Sequence, residues 1–196
     1  MSDARSYPRH VTIEGDDIEF RLMSRADEAA VLAFARHLPT HDLLFLPRNI
    51  SEPKVLTAWI NEIERGAISS LLAVKAGRVV GCGTLVRDPH SWSPHVGELR
   101  MVVSPEVRGQ GVGRALSQET FALALDAGLE KLTVQMTVDQ RAAIVLFESL
   151  GFRAEGLLRD QVRDIDGKKH DIVVFGHDVA QVRAQLEAYG VPGAVQ

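Results

Sequence analysis

The stretch that most constrains this chain is Met101-Val-Val-Ser-Pro-Glu-Val-Arg-Gly-Gln-Gly-Val-Gly-Arg114. An apolar run enters a loop with glycines at 109, 111 and 113, and the loop passes directly into an amphipathic segment. Glycine lets peptide N–H groups approach a ligand with no Cβ in the way. A helix N-terminus adds unpaired N–H groups and about half a positive charge. Strand, glycine loop and helix start, in that order, predict an α/β chain carrying a diphosphate site. Two familiar phosphate loops fail on spacing. A P-loop ends Gly-Lys-Ser/Thr, whereas Arg114-Ala115 follow Gly113, and the dinucleotide fingerprint would need a glycine at 114.

The flanking sequence supplies matching elements. Ile18–Leu22 alternates apolar and polar residues, the pattern of a half-buried strand. Ser24, three residues before Asp27, predicts a helix through about Arg36 that Pro39 stops. Pro53 opens a second helix, with Val55, Leu56, Trp59, Ile60 and Ile63 as its apolar stripe. Residues 71–75 and 78–85 flank Ala76-Gly77 as a hairpin, and 96–103 is the next strand. A helix over 112–127, a strand over 132–137 and a helix over 140–149 ended by Gly151 follow. Residues 152–162 and 170–175 flank the hairpin signal Asp166-Gly167, and Asp178 caps a last helix through Tyr189. Residues 1–16 are polar and aperiodic, a mobile lead-in or an edge extension. The implied division is 1–16 as extension, 17–178 as domain, and 179–196 as terminal helix and tail. Strands 96–103 and 132–137, the fourth and fifth of this reading, are joined by a helix and should be parallel. The result is a mixed, mostly antiparallel sheet with helices on both faces.

Composition narrows the function. At 196 residues the chain is long enough for one domain. Its 22 Lys+Arg against 26 Asp+Glu argue against nucleic-acid binding by bulk charge. The longest apolar run, Ala29–Ala35, is far short of the roughly 20 residues of a membrane helix. No apolar stretch follows the N-terminal arginines, so a secretory signal is not expected. One cysteine, Cys82, excludes a disulfide framework and reads as a small core residue rather than a nucleophile. A cytoplasmic protein without nucleic-acid or membrane partners is expected.

Arg108-Gly-Gln-Gly111-Val-Gly113 resembles the acyl-CoA motif Arg/Gln-x-x-Gly-x-Gly/Ala of the GNAT acetyltransferase superfamily. Ala143-Ile-Val-Leu-Phe147-Glu-Ser-Leu-Gly151-Phe152 is similar to its second signature. With the element order, the resemblance covers roughly residues 17–178. It implies acetyl-CoA as acyl donor and no metal. It also implies that the backbone of Met101, Val102 and Val103 pairs with the pantetheine arm as an added strand would. Gly109, Gln110, Gly111, Val112, Gly113 and Arg114 would hold the pyrophosphate, with charge from Arg108 and Arg114. Gln140 stands where many members carry a CoA-contacting asparagine. Phe147, placed against the cofactor arm, stands where many carry a tyrosine that protonates the departing thiolate. Phenylalanine has no proton to give.

Glu98, ten residues before Arg108, has the spacing of a glutamate in phosphinothricin-type and some bacterial protein-lysine acetyltransferases, which implies a general base. A one-residue shift along a strand changes the face. Glu98 therefore reaches the acyl group only if a bulge or twist turns it inward, and otherwise pairs with Arg100. His95 is the second candidate base because imidazole titrates near neutrality. His37 and His41 have helical spacing, but Pro39 between them discounts a metal site. The implied reaction is direct attack of a primary amine, on a small molecule, an amino acid or a protein lysine, upon acetyl-CoA. Residues 40–45, 88–95 and 164–170 would meet the acceptor, with Asp42, Asp88 and Asp164 available to a cation. The alternative is an acyl-CoA-binding regulatory or partner-binding module with weak or no catalysis. Edge strands and the terminal helix are compatible with a homodimer.

Overall fold

Two tight turns start the sheet. Arg9–Ile13 (β1) and Asp16–Leu22 (β2) pair around Glu14-Gly15, and Ile68–Lys75 (β3) and Arg78–Arg87 (β4) pair around Ala76-Gly77. All four turn residues have positive φ, the backbone that matches the twist of a two-residue hairpin. Val96–Val103 (β5), Lys131–Thr137 (β6), Arg153–Arg163 (β7) and Lys169–Asp178 (β8) complete one sheet in the order β1-β2-β3-β4-β5-β6-β8-β7. Every pair is antiparallel except β5–β6, the parallel pair the sequence predicts. This computed structural model describes residues 5–44, 46 and 48–179. The helix expected to run to Tyr189 lies outside them, and Asp178 itself ends β8.

The helices are Glu28–His37 (α1), Pro53–Glu64 (α2), Val112–Asp126 (α3) and Arg141–Ser149 (α4). α1 and α2 bury Val31, Phe34, Leu56 and Ile60 against Leu72, Cys82 and Val102 on one face. On the other, α3 sets Val112 and Leu116 against Ile18, Phe20, Leu71 and Val80. α4 closes the same face, with Phe147 among Val134, Met136, Phe152 and Phe175. α3 crosses β4 closely: a Cβ at Gly83 would collide with the Thr120 hydroxyl, so this strand position needs glycine. None of the described helices is long and apolar enough to cross a membrane.

Two local details refine the sequence reading. Ser24 does meet Asp27, its N–H and Oγ lying 2.8 and 3.1 Å from Oδ2, but the box opens a 3₁₀ turn over Arg25–Asp27 before α1. Burial alone would raise the Asp27 carboxyl; the Arg21 guanidinium at 2.7 Å and the Ser24 N–H reverse this and hold it low. Of the two readings of the N-terminal segment, the edge extension holds: Arg9–Ile13 is the edge strand β1. The segment is tied to α3 by the buried Glu119, which ion-pairs Arg5 at 2.8 Å and Arg9 at 3.2 Å and accepts the Tyr7 hydroxyl at 3.0 Å.

Candidate active site

β5 and β6 stay paired for only four residues, from Val96↔Lys131 to Leu99↔Val134. β4 continues to pair with β5 as far as Val103, so β5 runs on while β6 diverges and a wedge opens. The Ser104 N–H donates to Val80 on β4, and peptide groups alternate sides along a strand. The main-chain groups of Met101 and Val103 therefore face the wedge. It forms a cleft of about 670 Å³ lined by the Met101–Val103 edge, by Val134 and Met136 of β6, and by Leu146 and Phe147 of α4.

The glycine loop closes one end of this cleft. Gly109 and Gly111 have φ of 76° and 86°, the left-handed region, and Gly111 is the N-cap of α3 with no side chain capping the helix. Ile13 of β1 supports the loop from outside: a Cβ on Gly111 would lie 3.5 Å from its Cγ2. Val112 buries its side chain, and the Gln110 amide turns back to the Glu106 carbonyl at 3.0 Å. Arg108 crosses the cleft mouth. Its Nε and Nη2 reach the Val103 carbonyl at 3.3 and 3.1 Å, and Nη2 meets Asp42 at 2.6 Å. Arg114 donates to the Ser149 hydroxyl at 2.8 Å. Gln140 accepts the Thr137 N–H at 3.3 Å through Oε1, leaving its amide N–H groups for a ligand. Phe147 is 4% exposed and meets Phe152 edge-to-face at 5.2 Å. Ten of the twelve cofactor candidates line this cleft; Gln110 and Val112 do not.

The two base candidates separate. β5 keeps unbroken register with β4, and Glu98 forms a bidentate pair with Arg100, both N–O distances 2.9 Å, on the face toward α1 and α2; this is the pairing expected where nothing turns Glu98 toward the acyl group. His95 is exposed at the foot of β5, where its carbonyl accepts the Glu130 and Lys131 N–H groups; neither His95 nor Glu98 is among the residues lining the cleft or the cavity on the α1–α2 face. On the α1–α2 face lies a second cavity, of about 420 Å³, which shares Met101 and Val102 with the cleft and is also lined by Arg100, Cys82 and Trp59. Burial pushes the Cys82 thiol up to about 12, so it is un-ionised at neutral pH, as a core residue should be. Of the two tyrosines, Tyr7 is committed to Glu119, and Tyr189 lies outside the described residues.

Several contacts had no signal in the sequence. His41 Nε2 meets Asp139 at 2.9 Å, His170 Nε2 meets Asp164 at 2.7 Å, and the two imidazoles stack edge-on at 5.3 Å. The His170 hydrogen bond holds the Asp164 carboxyl below its ordinary range. His41–Asp139 and Arg108–Asp42 strap the α1–α2 connection across the cleft. Asp42 and Asp164, expected to be available to a cationic acceptor, already have cationic or imidazole partners. His41 does join a potential ligand set, with Asp139 and His170 rather than with His37, the three ligand atoms lying within 4.8 Å of one another.

Residues 33–152 match the acetyltransferase (GNAT) family, and the chain belongs to that family. Among curated proteins it is 34% identical over 87 residues to a protein of Mus musculus named "Probable N-acetyltransferase family 8 member 5", covering 43% of this chain and 38% of that one. It is 39% identical over 85 residues to mycothiol acetyltransferase of Pseudarthrobacter chlorophenolicus, covering 42% of this chain and 26% of that one. The matches thus span well under half the length of these relatives. Among solved structures, a GNAT-family acetyltransferase of Streptococcus pneumoniae aligns with a TM-score of 0.71 at 22% identity, covering 82% of this chain and 99% of that one. The yncA protein of Salmonella typhimurium, solved with its cofactor acetyl-CoA, aligns at 0.70 and 20% identity, covering 83% and 94%. At these identities the likeness concerns the fold.

Proposed function

We propose that the chain is an N-acetyltransferase that moves an acetyl group from acetyl-CoA to a primary amine by direct attack. The observation that carries this is the wedge between β5 and β6: an open strand edge leads to an uncapped helix N-terminus through left-handed glycines. Those parts suit an extended amide-bearing arm followed by a diphosphate. Acetyl-CoA would supply the activated thioester. The Met101 and Val103 peptides would pair with its arm, the Gly109–Arg114 N–H groups would hold the pyrophosphate, and the Gln140 amide would add a donor. Arg108, which shares its Nη2 between Asp42 and Val103, would exchange those partners for phosphate.

An ammonium must lose a proton before it can attack. Glu98 is assigned that role on its spacing and on its place on the face bearing the second cavity; its bidentate partner, Arg100, would have to give way. The Met101 N–H, aimed into the wedge, would donate where the carbonyl oxygen gains charge. Phe147 contributes no proton, so the leaving thiolate takes one from water. Calorimetry with acetyl-CoA, then thiol release with a panel of amines and peptides, tests the reading. Micromolar binding with amine-dependent release supports it. Binding without release from any amine would leave the acyl-CoA-binding module as the correct reading.

A further inference from the structure

Resting on the acetyltransferase reading, the geometry points to the α1–α2-side cavity as the acceptor site, and to a small apolar amine bearing a carboxylate, of the amino-acid class, as its occupant. Position is the first argument. Met101 and Val102 line both this cavity and the cofactor cleft, so an amine in the cavity abuts the strand segment that would hold the thioester. Size is the second. At about 420 Å³ the cavity falls at the small end of small-molecule sites, which run from roughly 300 to 1,000 Å³. Its walls include Leu46, Ile50, Val55, Trp59 and Ile68, which favour an apolar body with an aromatic or branched side chain.

Charge is the third argument, and it selects the class. The charged residues lining the cavity are Arg48, Glu62 and Arg100. Glu62 is paired with Arg65 at 2.8 Å, and Arg100 with Glu98. Arg48 has no ionic or hydrogen-bonding partner among the described residues, so the cavity carries one unneutralised positive charge. The Glu98 pair uses only Nε and Nη2 of Arg100, which leaves Nη1 as a further donor. Nothing here offers an unpaired carboxylate to a polyamine or to a cationic lysine side chain. An α-carboxylate on Arg48, with the neighbouring amine toward Met101, satisfies both the charge and the apolar wall.

The test compares phenylalanine with phenethylamine, which differs only by the carboxylate, and with spermidine and a lysine peptide. Thiol release at saturating acetyl-CoA should give phenylalanine a kcat/KM about tenfold or more above phenethylamine, as for a charge-assisted hydrogen bond. Arg48→Ala, an exposed position, should bring the two to within about threefold while leaving acetyl-CoA affinity unchanged. Calorimetry of N-acetylphenylalanine against the CoA-bound protein reads the same pocket without turnover, and Arg48→Ala should weaken that binding by a similar factor. Preference for spermidine, phenethylamine or the peptide overturns the proposal, as does an unchanged ratio in Arg48→Ala. If no amine is acetylated, the enzyme reading fails separately, and the calorimetric comparison alone decides the pocket: no Arg48-dependent binding of the carboxylate refutes it.

Discussion

Gly111→Asp separates binding from folding, because the structure opposes two small effects on stability and none on affinity. Gly111 sits at φ 86°, where a side chain costs roughly 1–2 kcal/mol, somewhat less for Asp. Its new Cβ would lie 3.5 Å from Ile13 Cγ2, an ordinary contact. Against this, α3 has no capping side chain, but Asp exceeds Gly as a cap by only about a few tenths of a kcal/mol. Net stability should therefore change by less than about 1.5 kcal/mol. The pyrophosphate, however, would meet a like charge on its own N–H groups. At roughly 5 Å and an effective dielectric near 20, each phosphate charge is repelled by about 3 kcal/mol. Halving the sum over two charges for salt screening still leaves about 3 kcal/mol, or more than a hundredfold in affinity. Calorimetry with acetyl-CoA, paired with urea unfolding, is the assay. A variant that folds normally and binds acetyl-CoA within threefold of wild type would remove the pyrophosphate from this loop.

Three further outcomes follow. Glu98→Gln should lower turnover by about 10²–10⁴-fold with acetyl-CoA affinity unchanged; turnover near wild type on a good acceptor would end the base assignment, and misfolding would mark the Glu98–Arg100 pair as structural. Phe147→Tyr should change the rate by less than about threefold, because water suffices for a thiolate, whereas a tenfold gain would mean that leaving-group protonation limits the native chain. Burial holds the imidazole of His177 below its ordinary range, so the unfolded chain takes up that proton first as pH falls. His177 thus contributes full stability above its unfolded pKa of about 6.5 and loses it progressively below, a positive slope of stability with pH. Urea midpoints between pH 8 and 5 should show this, and a His177→Leu variant with the same acid slope would refute the attribution.

The elements most legible in the sequence are those whose signals are local. The Ala76-Gly77 turn, the α2 stripe and the strand–glycine–helix passage each depend on neighbours within a few residues, and their bounds agree closely with the structure. β1 was harder to read because only Val11 and Ile13 mark its inner face, while its anchor, Glu119, comes from a helix far along the chain. His177 gave no sign of being a core residue. Its burial depends on Phe121 and Phe152, whose rings lie 5.1 and 5.0 Å away and arrive from α3 and the start of β7. The cofactor loop was legible for the same reason as the turns. The straps over it, Arg108–Asp42 and His41–Asp139, were not, since no local pattern pairs an arginine or histidine with a distant loop aspartate.

Strand parity sets what Glu98 can reach. The spacing argument required a bulge to turn it toward the acyl group, yet β5 pairs with β4 in unbroken register from Gly97 to Val103. Without a bulge, two kinds of group lie on different sides of the strand. Met101 and Val103 present main-chain donors and acceptors edgewise into the wedge, in the plane of the sheet, and so suit an arm laid alongside the strand. Glu98, Arg100 and Val102 present side chains on the α1–α2 face, where Val102 packs in the core and Arg100 borders the second cavity. An arm lying in the plane of the sheet is reachable from either face, so a carboxylate need only share a face with the acceptor. On this geometry Glu98 shares a face with Arg100 and the second cavity, whereas a side chain at 97 would point to the opposite face of the sheet, where even a Cβ would strike Leu129.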